Sequence, residues 1–165
     1  NLHMMRAMHE HEAAAARSIE LAFASPPHLY SPGRLVAGWL LDPPGALDQF
    51  VEPAKGTLEQ ATWLVDDAFE ALNAFYPDRD DLILVLDLSN MVGRSAAARS
   101  ALLNAAKLLY QRFSQVFVVP PADYPPMYLQ AFQASLAVVR LLGLRVTVAA
   151  SSADVIARCG LRPAR

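Results

Sequence analysis

The five apolar residues 82–86 (LILVL) constrain the fold of this chain more than any other stretch. The run contains neither Gly nor Pro and no polar alternation, a pattern typical of a strand that is covered on both faces in a mainly parallel sheet. Directly after it, Asp87, Ser89 and Asn90 are turn-forming residues, and Ser95 is placed to cap the helix that follows. The stretch therefore predicts a strand, a polar loop and a helix, at the edge of the sheet where α/β proteins commonly bind ligands and partners.

The rest of the chain divides into strand-like and helix-like segments. Residues 18–23 and 35–41 are predicted to form an antiparallel hairpin, whereas residues 42–56 show little periodicity and are predicted to form a loop with at most one helical turn. Thr57 and Gln60 have capping-box spacing at the start of a helix predicted over residues 57–76. The remaining predictions are helices over 95–113, over 127–142 and from 151, and strands over 115–119 and 144–149. This order predicts one α/β domain, with an N-terminal hairpin and a mostly parallel central sheet flanked by helices.

The size and composition of the chain limit its environment and its partners. At 165 residues and 18.0 kDa it has the size of one domain, and its net charge of −2 gives no general attraction to nucleic acid. Its single cysteine cannot form an internal disulfide, and no apolar run reaches the roughly 20 residues that span a bilayer, so we expect a cytoplasmic protein. Residues 1–17 are predicted to be a flexible segment that begins with a cloning remnant, and residues 18–165 to be the folded domain.

The sequence predicts no catalytic residues, no metal and no cofactor. All four histidines precede residue 29, so we expect no imidazole at the carboxyl edge of the sheet to act as a general base. The sequence HEHE at residues 9–12 could bind a metal, but no matching ligand cluster occurs elsewhere. Cys159 lies beside Arg158, which could lower its pKa, yet a lone cysteine in a terminal helix is more typical of a small buried residue. Phosphate-binding and dinucleotide-binding motifs are also missing, so we expect a protein that is not an enzyme.

The order of the elements and the sequence Asp87-Leu88-Ser89-Asn90 resemble the STAS superfamily, the fold of bacterial anti-sigma-factor antagonists. The resemblance covers roughly residues 18–162. It implies a regulatory module that binds a partner protein through the loop and helix after the central strand. In the family, a partner kinase phosphorylates a serine at the start of that helix, and the matching position here is Ala96. A divergent branch of the superfamily, similar in fold to lipid-binding domains, is an equally good relative.

The loop after the central strand is the first candidate binding surface. Gly93, Arg94 and Ser95 at a helix N-terminus offer backbone N–H groups and a guanidinium, which suit an anion or an acidic side chain of a partner protein. An ordinary N-cap beside a solvent-facing arginine is the alternative interpretation. Ser95 is also the candidate phosphorylation site. The predicted partner-binding and anion-binding residues are Asp87, Ser89, Asn90, Gly93, Arg94 and Ser95.

The helix predicted over residues 127–142 is the second candidate surface. Its strongly polar side chains, Gln130, Gln133 and Arg140, lie on one narrow stripe, and much of the remainder is apolar. Either neighbouring helices cover its apolar flanks, or the flanks form a homodimer seam or a wall for an apolar ligand or lipid. An enclosed pocket beside this helix would favour the ligand, and a flat exposed patch would favour a protein partner. The predicted residues of this surface are Tyr124, Met127, Tyr128, Val138 and Leu142.

Overall fold

A computed structural model of the chain describes residues 28–30, 35–41, 43–109, 111–122 and 125–159. Six of the strands form one mixed sheet in the order β1-β2-β3-β5-β7-β8, while β4 and β6 pair with each other. The strands are β1 (His28–Tyr30), β2 (Leu35–Leu41), β3 (Pro44–Phe50), β4 (Ala54–Gly56), β5 (Leu82–Asp87), β6 (Met91–Arg94), β7 (Phe113–Val119) and β8 (Val146–Val148). The helices are α1 (residues 58–75), α2 (Ala96–Leu109), α3 (Pro126–Leu141) and α4 (Ser152–Cys159).

The predicted α/β class, with a mostly parallel sheet flanked by helices, is confirmed. Strands β1, β2 and β3 are antiparallel neighbours, and β3, β5, β7 and β8 are parallel neighbours in sequence order. Helices α1, α2 and α3 each lie between consecutive parallel strands of the six-stranded sheet. Because these strands are added in one direction across the sheet, right-handed crossovers place the three helices on the same face. One core on that face includes Leu72 from α1 and Phe132 from α3, and a second core on the other face includes Val155 from α4.

The prediction of a loop over residues 42–56 is wrong, because residues 44–50 form β3 between β2 and β5. Its burial pattern does not alternate, and its partners lie on both sides, so pairing with distant strands decides its structure where the local pattern is weak. A Cβ atom on Gly45 would lie only 2.1 Å from the Ile83 carbonyl oxygen, which explains the glycine at this close approach. The observed hairpin joins β2 to β3, and the strand predicted over residues 18–23 lies outside the described residues.

Helix α1 closely matches its prediction but contains an irregular segment. The capping box is present, since the Thr57 N–H donates to Gln60 Oε1 and the Gln60 N–H donates to Thr57 Oγ1. The helix is α-helical over Leu58–Thr62 and Phe69–Phe75, and π-helical over Trp63–Ala68 between them. A single π-helical turn inside an α-helix frequently accompanies a functional site.

Helix α2 is shorter than predicted, because residue 113 belongs to the sheet. Phe113 begins β7 opposite Leu82 of β5, so its burial comes from strand pairing and not from a helix face. Arg112 lies in the turn before β7, where its guanidinium donates hydrogen bonds to the side chain of Asn73 and the carbonyl of Tyr76. These bonds tie the end of α1 to the start of β7.

Helix α3 ends where the sequence predicts. Gly143 has a φ of 91°, a conformation that favours glycine, and its N–H donates to the Arg140 carbonyl oxygen. No helix in the described ranges is long and apolar enough to cross a bilayer.

Candidate functional site

The polar residues directly after β5 hold the backbone of the first candidate surface. Asp87 is 1% exposed, and its Oδ1 accepts hydrogen bonds from the Ser89 N–H at 3.0 Å and the Ser89 hydroxyl at 2.6 Å. The side-chain amide of Asn90 donates to the Phe50 carbonyl oxygen at 2.8 Å, which joins the loop to the end of β3. These three hydrogen bonds are formed within the chain and hold the turn in place.

Residues 91–94, predicted to be loop, form strand β6 parallel to β4. The Ser95 N–H extends this pairing by donating to the Gly56 carbonyl oxygen at 3.0 Å, and Ser95 Oγ caps α2 by accepting from the Ala98 N–H at 3.1 Å. The predicted N-cap at Ser95 is confirmed. Gly93 has a φ of 152°, and a Cβ there would meet nothing within 4 Å, so its backbone conformation explains the glycine.

Two arginines connect the start of α2 to α3. The Arg94 guanidinium carbon lies 5.8 Å from the centre of the Phe132 ring, within the range of a cation–π interaction. Arg99 Nε donates to the Ser135 hydroxyl at 3.0 Å. The guanidinium of Arg94 therefore packs against the protein, and the prominent exposed side chain of this surface is Val92, at 71%.

The second candidate surface, on α3, is partly exposed as an apolar face. Phe132 and Leu136 are buried in the core between α3 and the sheet. Val138 is 48% exposed and Leu142 is also exposed, so the described helices leave those flanks uncovered. Tyr124, the side chain of Tyr128 and the side chain of Leu129 lie outside the described residues.

Four exposed residues of α3 form a continuous line, here named the apolar stripe: Met127, Ala134, Val138 and Leu141. At 3.6 residues per turn these positions fall within an arc of about 60° around the helix. Met127 is 75% exposed and Leu141 is 86% exposed, at opposite ends of the line. Surface helices usually carry charged side chains at such positions, so the apolar stripe is a candidate contact surface.

A cavity that the sequence did not predict lies between the sheet and helices α1 and α2. Its volume is about 50 Å³, and its walls are mostly apolar. Three aromatic side chains, Trp39, Phe69 and Phe113, contribute to the lining, together with residues of the π-helical segment. Asp48 of β3 is the one titratable residue of the lining, between Ala37 on β2 and Leu86 on β5.

Burial raises the pKa of the Asp48 carboxyl from 3.8 to about 7. Asp48 is partly buried, and it contributes to the cavity lining. No charged group or hydrogen bond contributes to the shift, and none of the described residues pairs with this carboxyl. Alternate residues of a strand face the same side of the sheet, so Asp48 shares the inward face of Ala46 and Phe50. The sequence reveals this only once residues 44–50 are recognised as a strand.

Cys159 does not have the environment of a reactive thiol. Burial raises the pKa of the thiol, and the opposing effect of Arg158 is smaller. Arg158 itself pairs with Asp154 at 3.2 Å. Across the described ranges, no three His, Cys, Asp or Glu side chains are grouped closely enough to bind a metal ion.

The chain has no significant match among protein-family models, curated proteins or solved structures.

Proposed function

We propose that this chain is a non-enzymatic protein-interaction module of STAS type, and that its apolar stripe pairs with the same stripe of a second copy. The exposure of Met127, Val138 and Leu141 along one line of α3 carries this proposal. Burying exposed apolar side chains against a partner stabilises the complex. The stabilisation is about 1.5–3 kcal/mol for each fully buried Leu, Val or Met.

The spacing of the stripe favours a second copy as its partner. Ala134 is seven residues from Met127 and seven from Leu141, or about 10 Å along the helix in each direction. An antiparallel pair of α3 helices related by a two-fold axis at Ala134 therefore places Met127 against Leu141 of the partner subunit, and the reverse contact follows by symmetry. Alanine at the crossing point lets the two helices approach closely, and the stripe contains no charge that would repel its copy.

The regulatory partner expected from the STAS resemblance would contact the surface after β5. Support for this part comes from Val92, which is exposed beside a rigid turn held by Asp87 and Asn90. Ala96 has no hydroxyl to accept a phosphate, so a phosphoswitch would need Ser95, whose oxygen now caps α2. A phosphate at that helix terminus would add negative charge where the helix dipole favours it.

Size-exclusion chromatography with light scattering tests the pairing. We expect the mass to rise from 18.0 kDa toward about twice that value with increasing concentration. Val138→Glu should keep the chain monomeric, because each copy would have to bury an unpaired carboxylate in the seam. Gln133→Glu is the matched control, since it adds the same charge to an exposed position outside the stripe. A wild-type monomer at every concentration, or equal behaviour of the two variants, would refute the pairing.

A further inference from the structure

The cavity beneath α1 combines three features that together select a ligand. Its walls include three aromatic side chains, Trp39, Phe69 and Phe113, around a small space. Its single carboxyl, on Asp48, has no partner among the described residues. Its volume of about 50 Å³ exceeds the roughly 10–15 Å³ that one water needs, but it is well below the roughly 150 Å³ of a cavity that holds benzene.

The lining excludes several classes of ligand. A divalent metal ion requires several oxygen or nitrogen ligands, whereas this lining offers one carboxyl among apolar side chains. Anions would meet the Asp48 carboxylate without any compensating cation in the lining. Above about pH 7, where the group is ionised, a neutral apolar molecule would leave that carboxylate buried and unpaired, which is costly.

A small organic cation satisfies both the carboxylate and the aromatic walls. An ammonium group pairs with the carboxylate in surroundings of low dielectric constant, where the attraction is strong, and aromatic rings also attract cations. The short apolar body of an alkylamine suits the remaining walls, and the size of the cavity limits that body to a few carbon atoms.

We propose that the cavity lined by Asp48, Trp39, Phe69 and Phe113 is a binding site for a small primary alkylamine, whose ammonium group pairs with the Asp48 carboxylate. The site is on the sheet side of α1, and the apolar stripe is on the exposed side of α3, so this proposal does not depend on the pairing of two copies. Residues Leu64, Val65 and Ala68 of the π-helical segment contribute to the same walls, which gives that irregularity a role in forming the site.

Titration with isobutylamine, followed by nuclear magnetic resonance at about pH 8 and constant ionic strength, tests the site. The indole N–H signal of Trp39 should shift with saturation in the millimolar range, while that of Trp63, which is not part of the lining, serves as an internal control. Isobutanol has the same shape without the charge and should bind at least tenfold more weakly.

Two variants test the role of the Asp48 carboxylate and the role of the cavity volume separately. Asp48→Asn should weaken isobutylamine binding at least tenfold, because the amide keeps the shape and removes the charge. Ala105→Leu should also abolish binding, since it fills the cavity while Asp48 remains. Circular dichroism confirms that each variant is folded. The absence of a saturable Trp39 shift in the wild type, equal affinity of Asp48→Asn, or equal affinity for isobutanol would each overturn the proposal.

Discussion

At the scale of single residues, Asp48 couples the stability of the protein to pH. Its pKa is raised from 3.8 to about 7, so between these values the folded chain holds a proton that the unfolded chain releases. The free energy of unfolding should therefore fall as the pH rises from about 4 to about 7, and this contribution should become constant above that range. A shift of this size corresponds to a loss of up to about 4 kcal/mol.

Urea denaturation at a series of pH values measures this coupling. Asp48→Asn should lack this fall and should be more stable than the wild type at pH 8, because its side chain stays neutral. Asp66→Asn is the control, since it makes the same substitution at an exposed position of α1. Parallel pH profiles for the wild type and Asp48→Asn would contradict the assignment.

At the scale of single elements, the capping box of α1 gives a second prediction. Thr57→Ala should lower the free energy of unfolding by about 1 kcal/mol, because it removes the oxygen that accepts the Gln60 N–H. Thr62→Ala is the matched control within the same helix, where the Thr62 side chain makes no cap hydrogen bond. Thermal or urea unfolding distinguishes the two, and an equal loss in both variants would show that the cap does not stabilise the helix.

At the scale of the whole molecule, the two sheets should differ in local stability. Strand β5 has paired neighbours on both sides, and its Leu84 and Val85 belong to the cores on opposite faces. Its amide hydrogens should exchange with solvent only through global unfolding, whereas those of β6 in the two-stranded sheet should exchange through a smaller opening. Native-state hydrogen exchange at low denaturant concentrations measures both. Equal protection of β5 and β6 would mean that the two sheets open as one unit.

Features that depend on residues within about four positions of one another could be predicted from the sequence. The cap at Ser95, the capping box at Thr57 and Gln60, and the end of α3 before Gly143 are confirmed, since each depends on side chains or backbone angles of close neighbours. The run over residues 82–86 also identified the central strand, because burial on both faces leaves a continuous apolar pattern.

Features that depend on partners distant in the sequence are defined by the folded chain, because the local pattern of residues does not specify them. Strand β3 is defined by its pairing with β2 and β5, and Phe113 belongs to a strand because it lies opposite Leu82. The same pairing places the Asp48 carboxyl beneath α1. The sequence of residues 44–50 does not reveal this position, because it lacks a clear strand pattern. Whether the face of α3 is covered likewise depends on what packs beside it, because a helical pattern identifies an apolar face but not its neighbour.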